Sequence, residues 1–465
     1  MLRIRNTLTG ALEEFKPDDP ERVRIYVCGP TVYGLIHVGN SRPVIVFDAF
    51  RRYLEYRGYK VWMVQNFTDI DDKIINRANE WEVDFKDVAE TFISEYYRDI
   101  DSLGVRQPNF SPKTSDFVKD IVEAIEVLIE KGYAYVSQGD VYFSVRKFER
   151  YGELSHRNLD EMRSGARIEI SDKKKDPMDF ALWKSSKGNE PYWESPWGRG
   201  RPGWHIECSV MSTKLLGSTL DIHAGGEDLI FPHHENERAQ SEALTGKTFV
   251  KYWMHNGMIR FSGDKMSKSV GNIFTLREAV KRFGRDALKY FFLSKHYRSP
   301  IEFSQEAMAA SVSASRKIQQ AFKRFESRYE FVPVPRNDGW MEEQRSRFVE
   351  SLDNDFNTPE AVAQIFELVN EMNSAMDKSD GERALKAYHL TRREFCSVLG
   401  LFDLEELTLS QDVDKLIMAV LSLREDFRKS KQYHIADRIR EELSKAGIEV
   451  KDTPQGTEYT IHREV

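Results

Sequence analysis

The stretch Tyr26-Val27-Cys28-Gly29-Pro30-Thr31-Val32-Tyr33-Gly34-Leu35-Ile36-His37-Val38-Gly39-Asn40 decides the fold of this chain. An apolar strand at 23–27 leads into it, and a tight turn ends it. Apolar residues at 3- to 4-residue spacing between 44 and 54 then predict a helix, and 59–67 reads as a second strand. Strand, turn, helix and strand make a βαβ unit, and open parallel sheets bind ligands where strands end and helices begin. The sequence therefore predicts a ligand site at this turn.

Two kinds of chemistry are available at the turn. Cys28 is a candidate thiolate metal ligand, since it follows directly on the first strand. The segment 37–40 lies at a helix N-terminus, where N–H groups and the helix dipole favour phosphate. We therefore expect a metal and a phosphate group to be bound near one another.

His37-Val38-Gly39-Asn40 resembles the first signature of the class I aminoacyl-tRNA synthetases, usually written HIGH, although many members end it in His where this chain has Asn40. Lys265-Met266-Ser267-Lys268-Ser269 matches their second signature, KMSKS. The opening Cys28-Gly29-Pro30-Thr31 resembles, more narrowly, the cysteinyl-tRNA synthetase family. Three further motifs carry the same resemblance: 66–73, 204–208 and 231–237. The resemblance covers nearly the whole chain.

Composition sets broad limits on the protein. A chain of 465 residues with 40% hydrophobic residues predicts two to four domains and excludes global disorder. Three cysteines do not make a disulfide framework, so a reducing cytoplasm is the expected location. We expect neither a secretory signal nor a membrane helix. Because the net charge is −7, any contact with RNA is expected to use local basic patches. The protein is expected to be a monomer.

The expected fold class is α/β. A doubly wound parallel-sheet, Rossmann-like catalytic domain is expected at 1–302, with a connective insertion at about 133–203 and the KMSKS-bearing segment at 251–302. Long helical patterns predict an all-helical bundle at 303–405. A small C-terminal α+β domain is expected at 406–465, with a hairpin at its end.

Cys28, Cys208, His233 and Glu237 are the candidate metal ligands, and their types suit zinc. His233 and Glu237 are four residues apart in a helix expected to begin at Pro232, so they face one side. From spacing alone the signal is weak, because no C-x-x-C pair is present and a lone buried cysteine is usually a small apolar residue. The resemblance implies more, since these four positions match the family's zinc ligands one for one.

Zinc would explain how cysteine is told apart from serine. An apolar pocket separates near-isosteres by only ~10²-fold, whereas a thiolate is a much better zinc ligand than a hydroxyl. We therefore expect one zinc per chain as the element of specificity, without a hydrolytic editing domain. His223 is expected to line this site and His234 to support a ligand.

Substrate contacts are expected around this centre. Thr68 and Asp69 follow the second strand and are candidates for substrate contact; alternatively, Asp69 forms a solvated turn with Asp71 and Asp72. The resemblance favours substrate contact and extends it to Trp204 and His223.

ATP contacts are expected at the two signatures. His37 and Asn40 would donate hydrogen bonds at the helix N-terminus, and Lys265 and Lys268 would supply cations to ATP, which binds with Mg²⁺.

The C-terminal domain carries a basic helix with an aromatic residue, a combination that suits single-stranded bases. The candidate tRNA contacts are Arg424, Arg428, Lys429, Lys431 and Tyr433. The alternative is a solvated helix face in which acidic residues balance the basic ones. In the resembling family this end of the molecule reads the anticodon.

The expected function is that of an ATP-dependent ligase. It would activate L-cysteine to cysteinyl-adenylate, release pyrophosphate and transfer cysteine to the 3'-terminal adenosine of tRNA(Cys). One alternative uses the same site to join cysteine to an amino sugar in a thiol-cofactor pathway. Another is a non-catalytic RNA-binding paralogue, which would be expected to have lost His37, Lys265 or Lys268, all of which are present.

Overall fold

The computed structural model describes most of the chain. The described residues are 1–158, 172–188, 190–261, 274–329, 332–402, 417, 419–425, 427–428, 430, 432–445, 448–453 and 456–461. The chain divides into two compact units, Met1–Phe402 and Asp403–Val465. Among the described residues, no helix has both the length and the apolar character needed to cross a membrane.

The strands of the first unit form one parallel sheet, one antiparallel sheet and two short pairs. They are β1 (Arg3–Arg5), β2 (Leu12–Glu14), β3 (Val23–Val27), β4 (Val61–Gln65), β5 (Ala134–Ser137), β6 (Asp140–Phe143), β7 (Phe180–Ser185), β8 (Gly200–Pro202), β9 (Leu220–Gly226), β10 (Val250–Asn256), β11 (Ile259–Phe261) and β12 (Ile301–Phe303).

The helices of the first unit cover the parallel sheet and build the helical part that follows it. They are α1 (Ser41–Tyr56), α2 (Asp72–Trp81), α3 (Phe85–Ser102), α4 (Val118–Glu130), α5 (Trp204–Leu216), α6 (Glu235–Thr245), α7 (Leu276–Phe283), α8 (Arg285–Leu293), α9 (Gln305–Arg328), α10 (Gly339–Asp353), α11 (Thr358–Asp377), α12 (Gly381–Tyr388) and α13 (Cys396–Leu399).

The central sheet has the strand order β10-β9-β3-β4, and all of its pairings are parallel. β3, α1 and β4 are the βαβ unit that the sequence predicts. From β3 the chain moves to β4 on one side and later returns to β9 on the other. The topological switch point therefore lies between β3 and β9, and their carboxyl ends form the edge where such sheets bind ligands.

The insertion between β4 and β9 contains an antiparallel sheet of order β5-β6-β7-β8. Its core packs with α4, whose apolar face includes Ile121, Ile125 and Leu128. Helical structure then dominates from α9 to α13, with a π-helical turn at His389–Phe395. The predicted helical character of this region is confirmed.

The second unit is described by itself. It contains α14 (Tyr433–Lys445) and an antiparallel hairpin of β13 (Ile448–Thr453) and β14 (Gly456–Ile461). The predicted helix and terminal hairpin of this unit are therefore confirmed.

One local prediction is wrong, and it concerns the segment that follows β9. The strand itself continues through both Gly225 and Gly226. A Cβ on Gly225 would lie 3.0 Å from His234 Cε1, so this glycine lets the strand approach that ring. The helix expected at Pro232 begins at Glu235 instead, because Phe231 has an extended backbone (φ −138, ψ 130).

Candidate metal centre and active-site cleft

Four side chains that the sequence singles out as metal ligands meet at the switch point. Cys28 follows β3, Cys208 lies on α5, His233 lies in the turn before α6, and Glu237 lies on α6. One ligand atom from each falls within 4.8 Å of the other three. The structure therefore brings together residues from three separate parts of the chain.

The spacing of these atoms fits a tetrahedral metal site. The two sulfur atoms of Cys28 and Cys208 are 3.9 Å apart, and two ligands at a Zn–S distance of ~2.3 Å span ~3.8 Å across a tetrahedron. Glu237 Oε1 lies 3.4 Å from Cys28 Sγ and 2.9 Å from His233 Nε2. Two thiols, an imidazole and a carboxylate form a donor set that zinc uses.

His223 and His234 form a second donor set with Cys28 and Glu237, and its atoms also lie within 4.8 Å of one another. His223 Nε2 is 3.4 Å from Cys28 Sγ, and His234 Nε2 is 3.3 Å from the same sulfur. The first set has two sulfur ligands in its favour. The second set keeps both histidines at the edge of the same centre, where the sequence predicts them.

Neighbouring side chains orient the ligands. Trp204 stacks on the His233 ring with a centroid distance of 4.4 Å, and His205 Nδ1 lies 2.9 Å from His233 Nδ1. On the other side, His234 Nδ1 lies 2.8 Å from His255 Nε2. Metal-binding imidazoles are ordinarily fixed through their second ring nitrogen in this way.

The electrostatics of the cluster favour a bound cation. Burial raises the pKa of both Cys28 and Glu237. A hydrogen bond from the Cys28 thiol lowers the pKa of Cys208 to about 7. Glu237 Oε2 is buried and accepts no hydrogen bond from the described part of the chain. In their ionised forms, a buried carboxylate and two thiolates would be costly without a countercharge, and a metal ion would supply that charge.

Thr68 and Asp69 lie inside the fold, just beyond β4. Thr68 Oγ1 donates to Glu207 Oε2 at 3.1 Å. Asp69 accepts from the Ser115 N–H at 3.0 Å and from its hydroxyl at 2.5 Å. Asp69 is 5% exposed, so the solvated-turn interpretation is wrong for this residue. Both side chains hold the loop at the edge of the centre.

His37 and Asn40 cap the turn that leads into α1. His37 Nδ1 accepts from the Gly39 N–H at 3.0 Å, and Asn40 Oδ1 accepts from the His37 N–H at 3.2 Å. A Cβ on Gly39 would lie 2.7 Å from the His37 ring, so only glycine permits this arrangement. The predicted helix N-terminus is therefore present. The Asn40 amide oxygen has a defined role there, and its amide nitrogen is not used in that bond.

Lys265 and Lys268 lie outside the described residues, but the chain on either side of them is described. Phe261 and Phe274 both pack against Phe303, with centroid distances of 5.9 and 6.4 Å. The Val38 N–H donates to the Phe274 carbonyl at 3.1 Å, beside the capped turn. Both ends of the segment 262–273 are thus anchored next to the first signature.

In the second unit the candidate RNA contacts differ in their surroundings. Tyr433 is 58% exposed at the start of α14. Arg424 is buried, so it does not lie on a surface that RNA can reach, and its predicted contact is withdrawn. Arg428 lies in a helical segment, whereas Lys429 and Lys431 lie outside the described residues.

Residues that sequence reasoning did not select also build the site. His205 and Glu207 lie within the motif 204–208, but no spacing rule identifies their partners. Thr114, Ser115 and His255 come from segments without any motif. Their contacts arise only from the tertiary fold.

Comparisons with known proteins agree on one family. Residues 14–313 match the family model described as tRNA synthetases class I (C) catalytic domain, and residues 347–403 match the DALR domain. The cysteine–tRNA ligase of Pseudothermotoga lettingae is 66% identical over 464 residues, which cover 100% of both chains. That of Thermotoga maritima is 60% identical over 460 residues, covering 99% of this chain and 100% of the relative.

Solved structures share the fold at low sequence identity. The methionyl-tRNA synthetase of Mycobacterium tuberculosis in complex with methionyl-adenylate matches with a TM-score of 0.60 at 16% identity, covering 82% of this chain and 89% of that one. A LeuRS–tRNA–LeuAMS ternary complex from Agrobacterium radiobacter K84 matches with a TM-score of 0.63 at 11% identity, covering 83% and 85%. At these identities the similarity shows the fold alone.

Proposed function

Because this chain belongs to the class I tRNA synthetases, as one of the cysteine–tRNA ligases, we propose that its buried Cys28, Cys208, His233 and Glu237 cluster is a zinc site that selects cysteine. The protein is an ATP-dependent ligase whose substrates are cysteine, ATP and tRNA. Full-length similarity and the DALR domain favour tRNA over an amino sugar as the acceptor, and they disfavour a non-catalytic paralogue.

The observation that carries the zinc proposal is the convergence of two sulfur atoms, an imidazole and a buried carboxylate at the switch point. The 3.9 Å separation of the sulfur atoms suits tetrahedral coordination. Bound zinc would prefer a substrate thiolate to a serine hydroxyl and would lower the pKa of that thiol. This chemistry makes selection possible in one binding step.

The chain's own residues would position the reactants around this site. His223 and Trp204 lie against the cluster and would line the pocket for the cysteine side chain. Thr68 and Asp69 would act by holding the loop that borders it. The hydrogen bonds of Thr68 to Glu207 on α5 and of Asp69 to Ser115 support a positioning role for both, rather than direct substrate contact.

ATP is proposed to bind between the two signatures. His37 and Asn40 would orient the nucleotide at the N-terminus of α1, while Lys265 and Lys268 would neutralise phosphate charge, with Mg²⁺ accompanying ATP. The anchoring of residues 261 and 274 beside residues 37–40 supports this arrangement. Attack by the cysteine carboxylate on the α-phosphate would then give cysteinyl-adenylate and pyrophosphate.

The region after the catalytic domain is proposed to bind tRNA. The helical bundle at 303–405 and the terminal domain at 406–465 would contact the tRNA body and anticodon. Exposed Tyr433, together with Arg428, Lys429 and Lys431, supplies stacking and phosphate contacts. We propose that the protein acts as a monomer in the cytoplasm.

Measured metal content and amino-acid selectivity test the proposal together. Purified protein should contain one zinc per chain, and cysteine should support ATP–pyrophosphate exchange far better than serine. Removing the metal with a strong chelator should reduce exchange with cysteine and narrow its advantage over serine. Adding tRNA should then give cysteinyl-tRNA with the metal-loaded protein. Metal-free protein that still discriminates fully between the two amino acids would contradict the proposal.

A further inference from the structure

Glu207 is a buried carboxylate immediately before Cys208 on α5, and its environment is unusual. It is 1% exposed and forms no ion pair with a described residue. Its Oε2 accepts hydrogen bonds from Thr114 Oγ1 at 2.7 Å and from Thr68 Oγ1 at 3.1 Å. Its Oε1 accepts none from the described residues. One oxygen atom thus joins α5 to the loop that follows β4 and to the 3-10 helix Thr114–Phe117.

The loop that carries Thr68 is hydrogen-bonded directly to the turn that follows Cys28. The Thr68 N–H donates to the Pro30 carbonyl at 3.2 Å, and the Val32 N–H donates to the Thr68 carbonyl at 3.2 Å. The backbone N–H and C=O of Thr68 therefore both form hydrogen bonds with the turn that follows Cys28. Through Thr68, the Glu207 carboxylate links the backbone next to Cys208 to the backbone next to Cys28.

The loop that carries Thr68 and the turn that follows Cys28 are in close backbone contact. The Gly29 N–H donates to Asn66 Oδ1 at 2.9 Å. A Cβ on Gly29 would lie 1.6 Å from the Asn66 carbonyl oxygen, so the two backbones already touch. Any shift of this loop would move the turn of Cys28 with it.

We propose that Glu207 is a positioning residue that sets the separation of the Cys28 and Cys208 sulfur atoms, and thereby the metal affinity and the selectivity for cysteine. The inference rests on the zinc site proposed above. Hydrogen-bonded groups outside the ligand set typically change metal affinity 10- to 100-fold when they are lost. Here the effect would pass through the distance between two ligands instead of through a bond to either one.

The linkage requires an acceptor oxygen at this position and does not depend on the charge of the carboxylate. A single oxygen atom can accept from both threonine hydroxyls, and so can the amide oxygen of glutamine. Glu207→Gln should therefore keep most of the linkage, while Glu207→Ala should remove it. Thr68→Val deletes only one hydroxyl at nearly constant volume, so it breaks the same linkage without opening a cavity.

The test measures metal binding directly. Apo-protein would be titrated with Zn²⁺ against a chromogenic chelator, and with Co²⁺ while the visible d–d and thiolate charge-transfer bands are recorded. We expect Glu207→Ala to weaken zinc binding ~10- to 100-fold and to alter the cobalt spectrum. Thr68→Val should weaken binding severalfold, and Glu207→Gln should stay close to wild type. The rate of pyrophosphate exchange with serine, relative to that with cysteine, should rise most in Glu207→Ala, less in Thr68→Val and hardly at all in Glu207→Gln.

Glu242→Gln is the matched control. Glu242 is also a buried carboxylate and lies on α6, five residues beyond Glu237, but it pairs with Arg150 and Arg238. This substitution should lower the melting temperature while leaving zinc affinity and the cobalt spectrum unchanged. It separates general destabilisation of the fold from a change at the metal.

Each outcome decides between the alternatives. Wild-type zinc affinity and a wild-type cobalt spectrum in Glu207→Ala would overturn the role of Glu207 while leaving the zinc site intact. Wild-type protein that binds no zinc would overturn both proposals. If Glu207→Ala does not fold, Thr68→Val decides instead, and unchanged zinc binding in that variant would overturn the inference.

Discussion

Arg42 lies on α1 and connects it to the segment that leads into β11. Its loss should weaken the contact between the two parts of the chain that are proposed to bind ATP. It lies two residues beyond Asn40, it is fully buried, and burial lowers its pKa to about 10. Its guanidinium donates at 2.5 to 3.3 Å to five backbone carbonyls, those of Gly257, Met258, His296, Tyr297 and Ser299. Gly257 and Met258 directly precede β11, which leads to the segment of Lys265.

Arg42→Met should lower the free energy of unfolding by at least ~3 kcal/mol. A hydrogen bond from a charged donor contributes ~1.5–3 kcal/mol, so the four N–H groups that make these contacts would sum to ~6–12 kcal/mol. Removing a buried cation recovers a desolvation cost of several kcal/mol, which offsets part of this loss. The remaining deficit consists of carbonyl oxygens that lose their partner in the interior.

Urea denaturation followed by tryptophan fluorescence would measure this loss, and ATP–pyrophosphate exchange in the absence of urea would measure its effect on the cleft. Arg42→Lys keeps the charge but has only three N–H donors, so it should lose about half as much stability. Arg98→Met, on an exposed helix surface, is the control and should change little. A stability for Arg42→Met within 1 kcal/mol of wild type would refute the reasoning.

The remaining predictions concern the metal, the phosphates, the RNA and pH. Cys208→Ala should weaken zinc binding ~100-fold in a chelator competition assay, because the four ligands together contribute a binding free energy of ~10–16 kcal/mol. Cys396 is also buried, but Cys396→Ala should keep the zinc affinity of wild type in the same assay. Lys268→Ala should slow cysteine activation about a hundredfold or more in pyrophosphate exchange while the circular dichroism spectrum stays unchanged. Tyr433→Ala should raise KM for tRNA ~10-fold, since stacking contributes ~1–3 kcal/mol per base, with unchanged pyrophosphate exchange. Burial lowers the pKa of Lys289 from 10.5 to about 8, so the unfolded chain binds more protons than the folded chain between these values and stability rises with pH there. Lys289→Met should remove that rise, so at pH 7 its free energy of unfolding should exceed that of wild type by up to ~3 kcal/mol. Urea denaturation at pH 7 and pH 10 would measure this, and the same difference between variant and wild type at both pH values would contradict the prediction.

The βαβ unit could be predicted because its signals are local. The apolar strand 23–27, the helical spacing after residue 41 and the second strand all lie within about fifty residues, and β3 and β4 do pair in parallel. The C-terminal hairpin was predictable for the same reason, since its strands are close in sequence. The ligand edge then follows from the general rule for parallel sheets.

The metal centre could not be derived from spacing. Cys28 and Cys208 are 180 residues apart, and the segment between them includes a complete antiparallel sheet. Only the resemblance joined these residues to His233 and Glu237 before the structure placed them together. The helix start at Pro232 failed for a related reason, because the backbone of Phe231 is set by its tertiary surroundings and not by propensity.

The strand order explains why a metal site arises at this place and why its support comes from elsewhere. β3 and β9 are neighbours only because the chain reverses its direction of progress across the sheet, and this brings Cys28 into contact with His223 on β9. Neither strand can fix the distance to Cys208, since that residue lies on a helix outside the sheet. A separate connection between helix and strand end is therefore required, and the bond from Thr68 to Glu207 is positioned to provide it. Such a connection leaves no periodic pattern in the sequence, because a single hydroxyl and a single carboxylate carry it.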